Sequence, residues 1–260
     1  NKGTALITGA SAGIGAIYAD RLARRGYDLI LVARSGDRLQ QLASRLRAQT
    51  GRSVGVIVAD LNDKADLAGV EAELRRDPGI TMLVNNAGVG AQAALLDADV
   101  DVMDAMIGLN VLALTRLTYA AVPGFVARGG GIVINISSIV SVAPEMLNGV
   151  YGGSKAFVLA LTQSLHHELA AKGIRAQAVL PGATATDFWD IIGGVGNLPE
   201  HWVMTADDMV DAALAGLDQG ELVTIPALPD TADWDAFENA RRKMMPNLSR
   251  VQPAARYATA

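Results

Sequence analysis

Short runs of β-branched and aliphatic residues alternate along this chain with longer stretches of helical periodicity, and no other feature limits its possible folds so strongly. A strand that is apolar on both faces and joined to the next through a helix belongs in a parallel sheet covered by helices on both sides. The runs lie near Thr4–Thr8, Asp28–Ala33, Ser53–Ala59, Thr81–Asn85, Gly131–Ser137, Ile174–Leu180 and Glu221–Ile225. Helical patterns occupy Gly13–Arg25, Gly36–Gln49, Asp63–Arg76, Val100–Arg128, Tyr151–Lys172 and Ala206–Leu217. The fourth is long enough to suggest two helices, and a capping box from Thr205 to Asp208 opens the last. Neither a repeat nor a linker marks a second domain, and 260 residues suit one large core, so the reading is a single domain over 1–260. Two segments escape the alternation: a Gly- and aromatic-rich stretch at about 182–204, and an extension at about 227–260.

Composition excludes several classes of function. Half of the residues are hydrophobic and 19% are charged, which implies a large buried core. Lys plus Arg number 22 against 27 for Asp plus Glu, and no basic run exists to meet a phosphate backbone, so nucleic acid is not an expected partner. A chain with no cysteine has no disulfide, thiolate nucleophile or Cys-ligated zinc, and it suits a reducing, cytoplasmic setting. His166, His167 and Glu168 are neighbours that diverge around a helix, and no HExxH spacing occurs, so no metal is expected. Polar residues or glycines interrupt the apolar runs before about 18 residues, and no leader pattern opens the chain, so the reading is a soluble, unexported protein without a membrane partner.

Chemistry enters after the first strand. Thr8-Gly9-Ala10-Ser11-Ala12-Gly13-Ile14-Gly15 leads from that strand into a helix, where unpaired N–H groups and the helix dipole attract a pyrophosphate. Gly9 permits the sharp turn, Gly13 the approach of phosphate, and Gly15 close packing of helix on strand. The spacing is GxxxGxG, not GxGxxG, and an ordinary strand-to-helix turn is the competing reading. After the second strand comes Ala33-Arg34-Ser35. An acid at this place would hold a ribose 2′-hydroxyl, whereas Arg34, with Arg38 a turn further, could fork onto a 2′-phosphate, which favours NADP over NAD. A solvated arginine at a strand end is the plainer alternative. Asp60, followed by Leu61 at the end of the third strand, either accepts from an adenine amino group or caps the next helix.

Tyr151 and Lys155 stand four apart at the start of a helix and share a face. A free phenol, with pKa about 10, is a poor acid or base near neutrality. An ammonium about 4 Å away, at an effective dielectric near 20, supplies about 4 kcal/mol, enough to lower that pKa by about 2 to 3. A core tyrosine beside a snorkelling lysine is the alternative.

Together, the TGASAGIG turn at 8–15, Asn85-Asn86-Ala87-Gly88, Asn110, Ser138, Tyr151-x-x-x-Lys155 and Pro181-Gly182 resemble the short-chain dehydrogenase/reductase family over residues 2–226. The resemblance implies a doubly wound Rossmann fold with about seven parallel strands and hydride transfer between a nicotinamide and a carbonyl or alcohol carbon. By the same resemblance, Ser138 would hold the substrate oxygen, Tyr151 would exchange its proton, Lys155 would also bond the nicotinamide ribose, and Asn110 would bind a relay water. Asn86, Ala87 and Gly88 would pass beneath the adenosine, with Ser11, Ile14, Asp60 and Leu61 among the remaining cofactor contacts. Pro181, Gly182 and Thr186 would face the nicotinamide, with Thr184 a competitor for the carboxamide.

Phe188, Trp189, Ile191, Ile192 and Trp202 among Gly193, Gly194 and Gly196 suit a hinged apolar lid. With Val140, Val142, Met146 and Leu147 they favour an apolar or aromatic ketone or aldehyde. The run Phe157–Leu161 is apolar all round its helix, which implies a homodimer or homotetramer. A non-catalytic dinucleotide sensor on the same fold is the alternative function, against which the Tyr–Lys pair argues.

Overall fold

The computed structural model describes residues 2–186 and 199–257, which fall into two compact units, Asn1–Pro226 and Ala227–Ala260. Within the first unit the strands are β1 (Thr4–Thr8), β2 (Asp28–Ala33), β3 (Val54–Val58), β4 (Ile80–Asn85), β5 (Gly131–Ile136), β6 (Ile174–Val179) and β9 (Val223–Thr224), joined in the order β3-β2-β1-β4-β5-β6-β9. Every pairing is parallel. The order reverses between β1 and β4, the crevice at which open α/β sheets place ligands. This is the doubly wound seven-stranded Rossmann sheet expected from the sequence. A separate short pair joins β7 (Thr184–Ala185) to β8 (Met204–Thr205).

Alternation along each strand feeds two cores. On one face Ala5, Ile7, Leu29 and Leu31 meet Tyr18 and Leu22 of α1 (Gly13–Arg24), Leu39 and Leu46 of α2 (Gly36–Thr50), and Val210 and Leu214 of α7 (Ala206–Gln219). On the other, Leu6, Val32, Leu83 and Val133 meet Val70 and Leu74 of α3 (Lys64–Arg76) and Leu117 and Phe125 of α5 (Leu114–Ala127). Each buried Val, Leu, Ile or Phe among them contributes about 1.5–3 kcal/mol, so both helical layers are anchored.

Several local expectations are corrected. The stretch Val100–Ala127 is not two helices but one: α4 (Val100–Ile107) runs through a π segment, Gly108–Ala113, into α5 without leaving helical dihedrals. By length and composition it passes the test for crossing a membrane, with half of its apolar window buried inside the structure; core helices of soluble proteins pass the same test. Asp60 does not cap α3, because Asp63 does, accepting from Ala65 and Asp66 N–H. Helix α6 (Gly149–Leu169) begins two residues before Tyr151, capped by Asn148. In the second unit, α8 (Thr231–Met244) starts on Asp230 and carries Trp234 stacked on Phe237 at 5.4 Å; no periodic signal in the extension had suggested it. Of the proposed lid, Phe188, Trp189, Ile191, Ile192, Gly193, Gly194 and Gly196 lie outside the described residues.

Candidate active site

Two constructions meet at the β1/β4 crevice. The first is made of backbone. Gly9 and Gly13 hold φ of 65° and 52°, a left-handed region that side chains resist. A Cβ on Gly15 would lie 2.3 Å from the Gly9 carbonyl oxygen, so α1 could not pack this close to β1 with any other residue there. The side chain of Asn86 donates to Thr8 O and Gly9 O at 2.9 and 3.1 Å, while Asn86 and Ala87 N–H both donate to the Thr8 hydroxyl. The glycine turn is thereby stapled to the end of β4. Helices α3, α4 and α6 have their first N–H groups capped by Asp63, Asp99 and Asn148, but the Ala12 cap of α1 offers no side-chain acceptor and its first turn no acid. Those donors and the positive end of the helix suit a pyrophosphate. Ser11 and Ile14 lie in this turn, and the methyl group of Thr186 lies 3.2 Å from where a Gly13 Cβ would stand. Thr184, by contrast, is buried.

Further along the same rim, Arg34 is exposed at the end of β2, and α2 begins at Ser35 with no side-chain cap bond. Asp60 accepts from Asn62 N–H at 3.0 Å, and Leu61 is buried in the core beneath it.

The second construction is made of side chains. The register Asn85↔Asn135 places two amides side by side across β4 and β5. Asn85 donates to Asn135 at 2.9 Å and to Thr118 of α5 at 3.1 Å, and Asn135 donates to Thr162 of α6 at 2.9 Å. These buried bonds fix the height of α6 over the sheet. Ser137, at the end of β5, donates to the Lys155 carbonyl at 2.7 Å; its neighbour Ser138 points the other way, toward the Tyr151 hydroxyl, to which it is hydrogen-bonded. Pro181 O faces the Ser138 hydroxyl at 3.4 Å and accepts Ile139 N–H, tying the loop after β6 to the serine; Gly182 approaches Ile139.

Lys155 is buried, donates to Ile136 O at 3.0 Å and stands 5.8 Å from the centre of the Tyr151 ring. Burial lowers its pKa to about 8. Burial also pushes the Tyr151 phenol up, to about 12, against the Ser138 hydrogen bond that favours ionisation. This corrects the expectation of an acidified phenol. Desolvation outweighs the Ser138 bond, so the phenol keeps its proton across the physiological range. Asn110, in the π segment, accepts from Val89 N–H at 3.0 Å and donates to Val89 O at 2.8 Å and to Ser154 at 3.1 Å. A Cβ on Gly88 would sit 3.1 Å from Asn110 Oδ1 and 3.3 Å from Lys155 Nζ, so the bare glycine leaves a polar space between amide and ammonium. The crevice thus brings the glycine turn, Asn86–Gly88, Asn110, Ser138, Tyr151, Lys155, Pro181 and Thr186 to one end of the sheet.

Sequence reasoning missed Asn148 and Ser154. The signal was present for the first, since asparagine is a favoured N-cap and stands three before Tyr151. For Ser154 none existed: its bonds to Asn110 and to Tyr151 O exist only once α4–α5 and α6 are packed.

The doubly wound parallel sheet, with a glycine turn and a buried Ser138–Tyr151–Lys155 group at the same end, is the architecture of the Rossmann-fold oxidoreductases. Within that class the chain belongs to the short-chain dehydrogenase family, whose sequence profile matches residues 3–192. A short-chain dehydrogenase from Sphingobium yanoikuyae, solved with NADPH, is 50% identical, with the match covering 98% of this chain and 100% of that one, at a TM-score of 0.95. The bulky-bulky ketone specific alcohol dehydrogenase from Comamonas testosteroni is 46% identical, with 99% of each chain covered and a TM-score of 0.91. The very-long-chain 3-oxoacyl-CoA reductase of Anas platyrhynchos is 37% identical over 191 residues, 70% of this chain and 60% of that protein. The chain therefore spans about 60% of the length of that relative.

Proposed function

We propose that this chain is an NADPH-dependent reductase of bulky apolar ketones or aldehydes, running in reverse on the corresponding alcohols. The observation that carries the reading is the Tyr151 hydroxyl, neutral, hydrogen-bonded to Ser138 and seated beside Lys155. When bound, the nicotinamide supplies or accepts the hydride. The chain's own residues do the rest. Ser138 orients the carbonyl oxygen and stabilises the negative charge that develops on it, Tyr151 delivers its hydroxyl proton to that oxygen, and the Lys155 ammonium favours the phenolate left behind. Lys155 would also bond the ribose hydroxyls of the bound cofactor, and Asn110 Oδ1 would bind a relay water beside the space that Gly88 leaves open.

Preference for NADPH rests on Arg34, an exposed guanidinium beside the uncapped start of α2, where a 2′-phosphate gains charge-assisted bonds. It agrees with the NADPH bound by the Sphingobium enzyme. Asp60 and Leu61 would border the adenine of the bound cofactor, and Gly182 with Thr186 its carboxamide. Preference for an apolar substrate rests on the cluster around Tyr151, formed by Ala91, Met103, Met106 and Val140 with Val89, Leu147 and Val150 partly buried on it. It agrees with the ketone specificity named for the Comamonas enzyme.

A homodimer or homotetramer accounts for Leu112, Tyr119 and Phe157, which stand exposed on the outer faces of α4–α5 and α6. The cysteine-free sequence suits the cytoplasm. The deciding experiment is a panel of aryl, medium-chain and short anionic carbonyls assayed with NADPH and NADH. Aryl and medium-chain ketones turning over best with NADPH is the expected result; faster reduction of short anionic substrates overturns the substrate class, and binding without turnover on any carbonyl overturns the enzymatic reading.

A further inference from the structure

The segment between β4 and α4 forms one wall of the apolar cluster around Tyr151, contributing Val89, Ala91 and Ala98. Two asparagines hold it. Asn110 bonds both backbone groups of Val89. Asn148 holds it four residues further on, donating from Nδ2 to Ala93 O at 2.6 Å. The same Asn148 side chain is the cap of α6: its Oδ1 accepts from Val150 N–H at 2.9 Å and Tyr151 N–H at 3.4 Å. The amide has one orientation that satisfies both partners, because the helix presents donors and Ala93 an acceptor. It is 6% exposed, so neither bond is readily replaced by water.

One side chain therefore joins the backbone that carries Tyr151 to the wall of the apolar cluster in which its ring packs. Beyond the clip, Leu95 and Leu96 are 86% and 92% exposed, which leaves the outer part of the segment with little packing of its own to hold it. Displacement of Ala93 would be felt at Ala91, which touches the Tyr151 cluster. From this we infer that Asn148 is a positioning and specificity-determining residue: it locks the first turn of α6 to the 89–98 wall and so sets the bulk of the carbonyl substituent that can lie against Tyr151. The inference rests on the proposed ketone reduction for its substrate half, and on structure alone for its mechanical half.

The test uses Asn148→Asp and Asn148→Ser in the full chain. Both keep a good helix-capping acceptor but lose the donor to Ala93, through charge in the first and reach in the second. Amide exchange across residues 89–98 should speed up in both, with exchange in the rest of α6 unchanged and the melting temperature lowered by about 2–4 °C for each kcal/mol lost with the Ala93 bond. The ratio of kcat/KM for an aryl ketone to that for a small ketone should fall about tenfold, mostly in kcat for the bulky substrate. Unchanged exchange in the wall overturns the clip. Faster exchange with an unchanged substrate ratio overturns the specificity role, as does an equal loss on both substrates that tracks a lower melting temperature. If the wild-type chain reduces no ketone, the proposed reaction fails and the exchange result still decides whether the clip exists.

Discussion

On the function proposed above, the two ends of the crevice would hold their ligand groups by different means. At the proposed phosphate end, around Gly9–Gly15, recognition would depend on what is missing: no Cβ at Gly15, no side-chain cap on α1, no acid in its first turn. At the proton-transfer end, around α6, it depends on a dense set of buried polar side chains, Asn110, Ser138, Asn148, Tyr151, Ser154 and Lys155, each with a bonding partner. A backbone site can be built by one short local segment. A side-chain site of this kind needs β4, β5, the π segment and α6 all in place, so its geometry is set by tertiary packing and its proton affinities by burial.

The sharpest way to break the contrast is to remove one atom at the side-chain end. Tyr151→Phe is expected to lower kcat by about 10²–10⁴-fold, the range for loss of a positioned general acid, while NADPH affinity measured by fluorescence titration stays within about threefold of wild type. Comparable losses in both would mean that the two ends are not separable. At the other end, Arg34→Ala is expected to weaken NADPH by about 10- to 100-fold, as for loss of a charge-assisted contact, with little effect on NADH or on kcat at saturation. Equal weakening of both cofactors would remove the case for a 2′-phosphate site at Arg34.

The same difference explains what was legible beforehand. The sheet could be read because burial on both faces leaves uninterrupted apolar runs, and β1 and β2 begin and end where those runs do. The glycine turn was legible because its logic is local. The Tyr–Lys spacing was legible too, but not the direction of its proton affinities, since periodicity does not report that Tyr151 and Lys155 are both taken out of water. Continuity of α4 through the π segment was hidden because length alone suggested a break in Val100–Arg128, and the bonds of Asn110 to Val89 and Ser154 that occupy the π segment form only in the packed chain. Helix α8 was invisible because its large apolar residues, Trp234, Phe237 and Met244, are sparse among charges.

Burial at the side-chain end also sets a pH dependence that the phosphate end lacks. Lys155 titrates at about 8 in the folded chain against its ordinary value of 10.5. Below that the ammonium is present to favour the phenolate; as pH rises through about 8 it is lost, so reductive kcat/KM should fall about tenfold per pH unit above it, while NADPH affinity at Arg34 stays level. The stability effect has the opposite sense. Between about 8 and 10.5 the unfolded lysine binds a proton that the folded one does not, so the Lys155 contribution to stability rises with pH over that window. Urea unfolding of wild type and Lys155→Met should therefore show the variant's relative advantage at pH 7 shrinking toward pH 10; an advantage that grows would reverse the assignment.

The smallest expected effect tests whether buried polar groups matter only where they are paired. Tyr18 lies in α1 within one turn of Gly15, fully buried, and its hydroxyl has no hydrogen-bond partner among the described residues. Burial raises its pKa well above the ordinary phenol, so it stays neutral and contributes neither charge nor a bond. Tyr18→Phe removes a desolvated hydroxyl at no bonding cost, and is expected to raise stability by about 1 kcal/mol, or the melting temperature by about 2–4 °C, without changing turnover. Ser154→Ala removes a hydroxyl of similar burial that is bonded to Asn110 and to Tyr151 O, and should destabilise by about 1–3 kcal/mol and lower kcat. If the two substitutions moved stability in the same direction, pairing would not be what separates the α1 end of the crevice from the α6 end.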